Sequence, residues 1–206
     1  ELMARMSDTE ADVRYSVAWI DLLAKGARLG RGVLTNGEHA TREQVGGDDP
    51  LAYGARQLIA VPPVIPPFGV INPATVRAFN EVWYRKAPRQ RQAQLQSIAG
   101  YFHPLDFVRD WNRVYGRRGF LQYQFLVPHG EEDTLRAVIE QISAAQVPTF
   151  LTVLKRFGPG NPAPLSFPTG GWTLAIDVAT SFPGLAGLLR RLDERDVAAG
   201  GRHYLA

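Results

Sequence analysis

The sequence predicts an α+β fold in which a mixed, mainly antiparallel sheet has its helices packed on one face. Along the second half of the chain, apolar periodicity follows the order strand, helix, strand, strand, helix, strand. The two strands that are joined directly by a loop are expected to be antiparallel neighbours, as in a split β-α-β arrangement. Gly 20 and Pro 15 together make up about 17% of the 206 residues, which indicates many turns and argues against a helical bundle.

Five segments rich in β-branched and aromatic residues predict strands. They cover residues 13–21, 32–35, 120–127, 149–157 and 172–178. The second of them ends at Asn36-Gly37, which is a turn dipeptide. A further strand is expected to begin after Gly200-Gly201, close to the last residue of the chain.

Four segments have apolar residues at helical spacing. One begins at Asn72-Pro73, where Asn is a favourable cap and Pro a favourable first residue. The others cover residues 104–115, 131–146 and 183–199. The helix at 131–146 has the clearest buried stripe, which consists of Leu135, Val138, Ile139 and Ile142.

Residues 38–71 are predicted to be a mobile or membrane-facing loop region within a single domain that spans residues 1–206. Its first part, 38–57, is polar, and its second part, 58–71 (LIAVPPVIPPFGVI), has four prolines that exclude a helix or a central strand. Two interpretations of 58–71 remain open, an extended segment that covers the core and an apolar flap over a membrane or a ligand. Four cations lie farther along the chain: Arg85, Lys86, Arg89 and Arg91. They also have two open interpretations, a solvated face or contact with anionic lipid.

Composition excludes several classes of function. A net charge of +3 is too small for a typical nucleic-acid module, so no nucleic-acid partner is expected. The absence of Cys excludes a disulfide framework and a cysteine nucleophile, and the four histidines form no close pair that predicts a metal site. No dinucleotide, phosphate-loop, zinc-protease or serine-hydrolase motif occurs, so we expect a cofactor to supply any redox chemistry. The first residue, Glu1, and the end of the chain at a nascent strand suggest a fragment.

Polar residues alternate with apolar ones on three of the predicted strands. Gln122 and Gln124 share one face of the first, and Lys155 lies among apolar neighbours on the second. Thr173 and Asp177 share a face of the third. This pattern suits either an ordinary solvated sheet face or a pocket for a hydroxylated, phosphorylated small molecule.

Long and irregular motifs carry a resemblance to a known family. They are residues 102–106 (FHPLD), 110–116 (DWNRVYG), 119–125 (GFLQYQF), 157–161 (FGPGN), 163–168 (APLSFP) and 200–202 (GGR), with matches also at 14–16, 19, 30–34 and 83–86. In these motifs the chain resembles FAD-linked oxidases of the vanillyl-alcohol oxidase type, in particular the actinobacterial flavin subunits that oxidise a polyprenylphosphoryl ribose. The resemblance covers nearly the whole chain, in order.

The resemblance implies the substrate-binding domain of such an enzyme, with FAD held mainly by a domain that lies outside this chain. The implied reaction oxidises the 2-hydroxyl of decaprenylphosphoryl-β-D-ribose to the keto sugar, in the synthesis of arabinan precursors for the cell wall. An NADH-dependent reductase is the implied partner subunit, and the implied location is peripheral to the cytoplasmic membrane. A lysine near the flavin is expected directly after Ala206, so the chain alone is predicted to be inactive.

The resemblance also implies the residues of the substrate pocket. They are Ser16, Trp19, Leu105, Trp111, Arg113, Gln122, Gln124, Leu151, Val153, Lys155, Phe157, Thr173 and Ala175. The two glutamines are expected to bind sugar hydroxyls, and the lysine to bind the phosphate or a ring hydroxyl. Thr173 and Ala175 stand where mycobacterial members have Asn and Cys, and Phe102 replaces a tyrosine.

Two other functions remain compatible with the sequence. One is an FAD-linked oxidase that acts on another sugar alcohol or on a lactone. The other is a non-catalytic module that docks on a membrane or binds a ligand. The apolar 58–71 segment and the cations after it favour a lipid-linked substrate, because a prenyl tail needs an apolar path and a phosphate needs cations.

Overall fold

A computed structural model describes residues 1–47, 49, 57–88 and 93–204 of the chain. The predicted 38–57 loop therefore lies partly outside the described residues, and so do Arg89 and Arg91. The strands are β1 (Tyr15–Ile20), β2 (Gly32–Gly37), β3 (Ile59–Ala60), β4 (Val108–Arg109), β5 (Phe120–Pro128), β6 (Thr152–Phe157), β7 (Gly171–Ala179) and β8 (Arg202–His203). The α-helices are α1 (Leu2–Asp8), α2 (Arg42–Val45), α3 (Pro73–Lys86), α4 (Ile98–Phe102), α5 (Glu132–Ala145) and α6 (Leu185–Ala198).

Six of the strands form one sheet in the order β2-β1-β6-β7-β5-β8, and every neighbouring pair in it is antiparallel. β7 lies between β5 and β6, which are joined through α5, so these elements form the split β-α-β arrangement. The predicted fold class, α+β with a mainly antiparallel sheet, is confirmed.

The face of this sheet that packs against α5 and α6 is called the helix face. It carries every second residue of each strand, because side chains alternate along an extended backbone. The core joins these strand residues to the apolar stripes of the two helices. The buried core residues of β5, β7, α5 and α6 are Phe125, Val127, Trp172, Leu174, Ile176, Val178, Leu135, Val138, Ile139, Ile142, Leu185, Leu188 and Leu192.

The opposite surface of the sheet is called the open face. The strand register places three cross-strand rows on it, about 7 Å apart along the strands. The middle row runs Trp19, Val153, Ala175, Gln124. One flanking row pairs Lys155 with Thr173, and the other pairs Asp177 with Gln122.

The predicted helix over residues 104–115 is wrong. Residues 108–109 instead form β4, which pairs in parallel with β3, and a 3-10 helix follows at Trp111–Tyr115. Between them, Asp110 has φ 60°, a left-handed conformation that interrupts a helix. The helical spacing in this segment arose from aromatic side chains that pack on the end of the sheet.

Other predicted boundaries differ by a few residues. Asn36-Gly37 lies within β2 and not in a turn, because Asn36 pairs with Ser16 and Gly37 with Tyr15. The helices α1, α2 and α4 had no sequence prediction, and α2 lies in the part of the chain that was predicted to be a loop. The helix that begins after Asn72 is confirmed, with the Asn72 side chain accepting from the N–H groups of Ala74 and Thr75.

The proline-rich segment 58–71 contains only the two-residue strand β3, as its prolines predict. Its apolar side chains point outward, since Leu58 is 74%, Val64 86% and Phe68 75% exposed. Gly69 of this segment packs against Gly116, which directly follows the 3-10 helix. A Cβ on either glycine would clash with the backbone around the other. The segment therefore does not bury these side chains in the core.

Candidate functional site

The centre of the open face is an apolar floor formed by Val153 and Ala175. Ala175 is the only residue of β7 that is not buried, so solvent reaches the sheet at this point. Gln124 borders the floor in the same cross-strand row. The flanking rows place Lys155 on one side of the floor and Gln122 on the other, and both of these side chains are exposed.

Both glutamines are held by neighbours on β7. The Nε2 of Gln122 donates to the Oδ1 of Asp177 at 3.0 Å. The Nε2 of Gln124 donates to the Oγ1 of Thr173 at 3.1 Å, and that hydroxyl donates in turn to the carbonyl of Phe125 at 2.8 Å. Within the described part of the chain, neither glutamine Oε1 has a hydrogen-bond partner. The two amide oxygens are therefore available as acceptors.

Asp177 is a buried carboxyl, only 1% exposed, beneath this polar surface. Burial raises its pKa to about 6, and the hydrogen bond from Gln122 opposes that rise. Its Oδ2 has no hydrogen-bond partner among the described residues. Tyr115 lies nearby, fully buried, and its hydroxyl pKa is raised by burial and by the charge of Asp177.

Lys155 has no acidic partner within the described ranges. It extends from β6 opposite Thr173, with Val153 and Phe157 on the same side of the strand. A cation in such a position can attract an anionic group to this side of the floor, because no local carboxylate neutralises it.

An aromatic cluster borders the open face on the side of Asp177. The ring of Tyr115 stacks on Phe120 at 4.5 Å and on Phe150 at 5.9 Å between centroids. Trp111 packs on Phe120 at 5.3 Å, and the indole N–H of Trp19 donates to the carbonyl of Phe150 at 2.8 Å. The two predicted tryptophans thus lie in one cluster, at the edge of the open face.

Not all predicted pocket residues are brought to the open face. Ser16 lies on the helix face, because it is three residues from Trp19 and strand side chains alternate. Leu105 lies in the turn before β4, half-buried, and Arg113 forms an ion pair with Asp110 at 3.1 Å. Leu151 directly precedes β6, where its carbonyl accepts from the N–H of Asp177.

The far edge of the open face is formed by residues that the strand patterns did not single out. Tyr204 follows β8, and its N–H donates to the carbonyl of Gln124 at 3.0 Å. Its ring packs on Phe167, which packs in turn on Phe157. Tyr204 thus extends the middle row beyond Gln124.

A polar cluster on the helix face anchors β8. The Nε2 of His203 lies 3.2 Å from a carboxylate oxygen of both Asp193 and Asp196, which are on α6. The hydroxyl of Tyr123 donates to Asp193 at 2.8 Å. Asp196 is fully buried, and burial together with the charge of Asp193 raises its pKa to about 7.

Two cavities in the described structure lie away from the open face. One, of about 610 Å³, is lined by α5 and α6, and another, of about 300 Å³, lies near Asp21, Arg31 and Glu81. Neither is lined by the glutamines or by Lys155. The sequence pattern allowed either a solvated sheet face or a pocket, and neither of these two cavities lies on the open face.

Sequence reasoning placed Asp177 on the correct strand face but did not include it or Tyr115 among the site residues. A charged residue in an otherwise apolar strand was the available signal for Asp177. No local pattern identifies Tyr115, because its position beside Asp177 depends on the fold. In the described residues, no group of three or more His, Cys, Asp or Glu side chains can hold a metal ion.

The fold and the site together define an α+β domain whose open sheet face presents amide and ammonium groups around an apolar floor, with a hydroxyl and a carboxyl buried beneath them. The whole chain is similar to decaprenylphosphoryl-beta-D-ribose oxidase of Mycolicibacterium smegmatis, at 41% identity over 213 residues that make up 45% of that protein. It is also similar over its whole length to an uncharacterized protein in the mprA 5′ region of Streptomyces coelicolor, at 37% identity over 219 residues and 58% of that protein. No protein-family model matches the chain.

These similarities confirm the resemblance that the sequence motifs indicated. The chain spans about half the length of the curated relatives it matches.

Proposed function

We propose that this chain is the substrate-binding domain of an FAD-dependent oxidoreductase that oxidises the 2-hydroxyl of decaprenylphosphoryl-β-D-ribose to the keto sugar. The observation that carries the proposal is the composition of the open face, in a chain similar throughout to an oxidase of that name. Gln122 and Gln124 offer two acceptors for hydroxyl groups, and Lys155 offers a cation for the phosphate. The product would serve as a precursor of cell-wall arabinan.

The described residues fit the substrate side of a flavin site. Val153 and Ala175 give a flat apolar surface against which a planar ring system can pack, and Tyr204 adds an aromatic edge. Bound FAD would accept the hydride from C2 of the sugar. FAD would be held mainly by a second domain, and the chain alone would be inactive.

In this proposal the residues of the open face bind and orient the sugar. The glutamine oxygens accept from ring hydroxyls, and Lys155 holds the phosphate, so that the sugar lies over the apolar floor. The 2-hydroxyl would lose its proton, to a base that the described residues do not supply, as the hydride leaves C2. An NADH-dependent reductase is the proposed partner subunit and would reduce the keto sugar to the arabinose epimer.

We further propose that the enzyme is peripheral to the cytoplasmic membrane and contacts it through the 58–71 segment. Leu58, Val64 and Phe68 are exposed and close in sequence. Transfer of such an apolar segment into a lipid interface is favourable, because it removes apolar surface from water. None of the helices in the described ranges is long and apolar enough to cross a bilayer.

The visible absorption spectrum of the intact gene product, recorded anaerobically before and after addition of a polyprenylphosphoryl ribose, tests the oxidase. Flavin bands that bleach on addition are the expected result. Bands that persist would overturn the proposed substrate and favour another alcohol or a lactone. A protein without flavin bands would leave a binding module and overturn the enzyme itself.

Variants of the same protein test the site. Lys155→Ala and Gln124→Ala are each expected to cut turnover by at least tenfold while the flavin stays bound, because each removes a charged or polar contact to substrate. Arg136→Ala is a matched control, since Arg136 is exposed on α5 and pairs with Glu140, one helical turn away. Wild-type turnover in both open-face variants would refute the proposed binding surface.

Sedimentation with vesicles that contain phosphatidylglycerol tests the membrane contact. Val64→Ser and Phe68→Ser are expected to reduce binding at low salt, because they remove the most exposed apolar groups of the segment. Val197→Ser, which changes an exposed residue of α6, serves as the control. Equal binding by all variants, or no binding by the wild type, would refute this part of the proposal.

A further inference from the structure

The orientation of the two glutamine amides follows from the chemistry of their partners on β7. Asp177 is a carboxylate above its pKa and carries no proton, so only the nitrogen end of the Gln122 amide can face it. Thr173 has a single hydroxyl proton, which it donates to the carbonyl of Phe125. Its oxygen therefore acts as acceptor toward Gln124, and again the nitrogen end of the amide must face the strand.

Both amides consequently turn their Oε1 atoms away from β7. Because Gln122 and Gln124 are two residues apart on one strand face, the backbones that carry these acceptors lie about 7 Å apart. A hydroxyl group can donate to them, whereas a phosphate or carboxylate has no proton to give. The acceptor side of the open face is thus separated from its cationic side at Lys155.

We propose that Asp177 and Thr173 are positioning residues that present both glutamine oxygens to the ligand, and that this makes the open face selective for hydroxyl donors. The proposal rests on the proposed function for the identity of the ligand. It assigns a specificity role to Asp177, which contacts the ligand only through Gln122.

The orientation of Gln122 is expected to depend on pH. When Asp177 takes up a proton, the carboxyl can donate as well as accept, so the amide of Gln122 can adopt either orientation. Burial places this change at about pH 6. The groups that face the Asp177 carboxyl are Gln122 from β5 and the Tyr115 hydroxyl from the 3-10 helix, while its backbone N–H donates to the carbonyl of Leu151, just before β6. Lys155 lies farther away, opposite Thr173, four residues along β7.

Binding to the intact flavoprotein tests selectivity, with a short-chain prenylphosphoryl ribose and its 3-deoxy-3-fluoro analogue, which keeps the reacting 2-hydroxyl, as probes. Fluorine can accept but cannot donate, so wild type is expected to bind the analogue about tenfold more weakly at pH 8. Thr173→Val and Asp177→Asn are each expected to reduce the difference in affinity between the two probes. Each is also expected to raise KM more than it lowers kcat. Equal affinity of the wild type for the two probes would overturn the proposal.

Side-chain amide NMR tests the positioning without any ligand. The Gln122 amide signals are expected to shift with pH around 6 in wild type, whereas those of Gln124 stay constant, since Thr173 does not titrate. The shift should disappear in Asp177→Asn. A Gln122 signal that ignores pH, or one that still titrates in the variant, would overturn the proposal. If wild type binds neither probe, the proposed function fails, and this measurement still decides the positioning.

Discussion

β5 and β7 contribute to both faces of the sheet, and the residues that they place on each face differ in kind. Toward the helices, the even-numbered residues 172–178 of β7 are all large and apolar. Toward the open face, the same strand carries Thr173, Ala175 and Asp177. Burying a hydroxyl and a carboxyl costs free energy that an apolar residue would avoid. The helix face has the composition of a folding core, whereas the open face has the composition that the proposed ligand binding requires.

The two faces also hold buried carboxyls in different settings. Asp196 belongs to the helix side and contacts His203, so it helps attach β8 to α6. Among the residues that the structure describes, the side chain of Asp177 is hydrogen-bonded only to a neutral amide, that of Gln122. We therefore expect Asp196 to stabilise the fold, and Asp177 to orient the exposed Gln122.

The largest expected effect is a difference in stability between substitutions of apolar residues on the helix face and on the open face. Leu174→Ala on the helix face should lower the free energy of unfolding by about 2 to 5 kcal/mol, because Leu174 is completely buried. Val153→Ala on the open face should cost less than about 1 kcal/mol, since Val153 is half-buried. Urea unfolding of both variants measures the contrast. Equal losses would show that the open face is also part of the core.

A pH-dependent contrast should come from Asp177. Its folded-state pKa of about 6 lies above its ordinary value of 3.8, so its contribution to stability is fully present below about pH 4 and is lost as pH rises through 6. Asp177→Asn should therefore be more stable than wild type by up to about 3 kcal/mol at pH 8, and the difference should vanish near pH 4. Urea unfolding across this range measures it. Asp133→Asn, at an exposed position, is the control, and a pH-independent difference would contradict the prediction.

The attachment of β8 should respond to His203. His203→Ala removes the contacts to Asp193 and Asp196 and should lower stability by about 1 to 2 kcal/mol. The amide of Tyr204, which donates to the carbonyl of Gln124, should lose protection from hydrogen exchange. Unchanged protection would mean that backbone pairing alone holds β8.

The smallest effect on stability is expected at Lys155. Its side chain is exposed and has no ion pair within the described residues, so Lys155→Ala should change the free energy of unfolding by less than about 0.5 kcal/mol. The same substitution should reduce turnover strongly. A loss of stability comparable to that of Leu174→Ala would remove the distinction between the two faces.

Most of the sheet was predictable, and the errors have physical causes. β5, β6 and β7 were found because alternation and β-branched residues act within one segment. The 104–115 helix was wrong because Trp111 and Tyr115 have helical spacing but pack on aromatic residues from other segments. The placement of Ser16 with Trp19 came from the resemblance, and strand geometry separates the two.

The sequence by itself determined which residues share a face of each strand and which helices have an apolar stripe, because both depend only on local backbone periods. It therefore already grouped Gln122 with Gln124. Only the tertiary structure decided the register, which sets Asp177 opposite Gln122 and Ala175 beside Gln124. Pairing between strands depends on how segments about fifty residues apart bury their side chains together, and no local pattern records that.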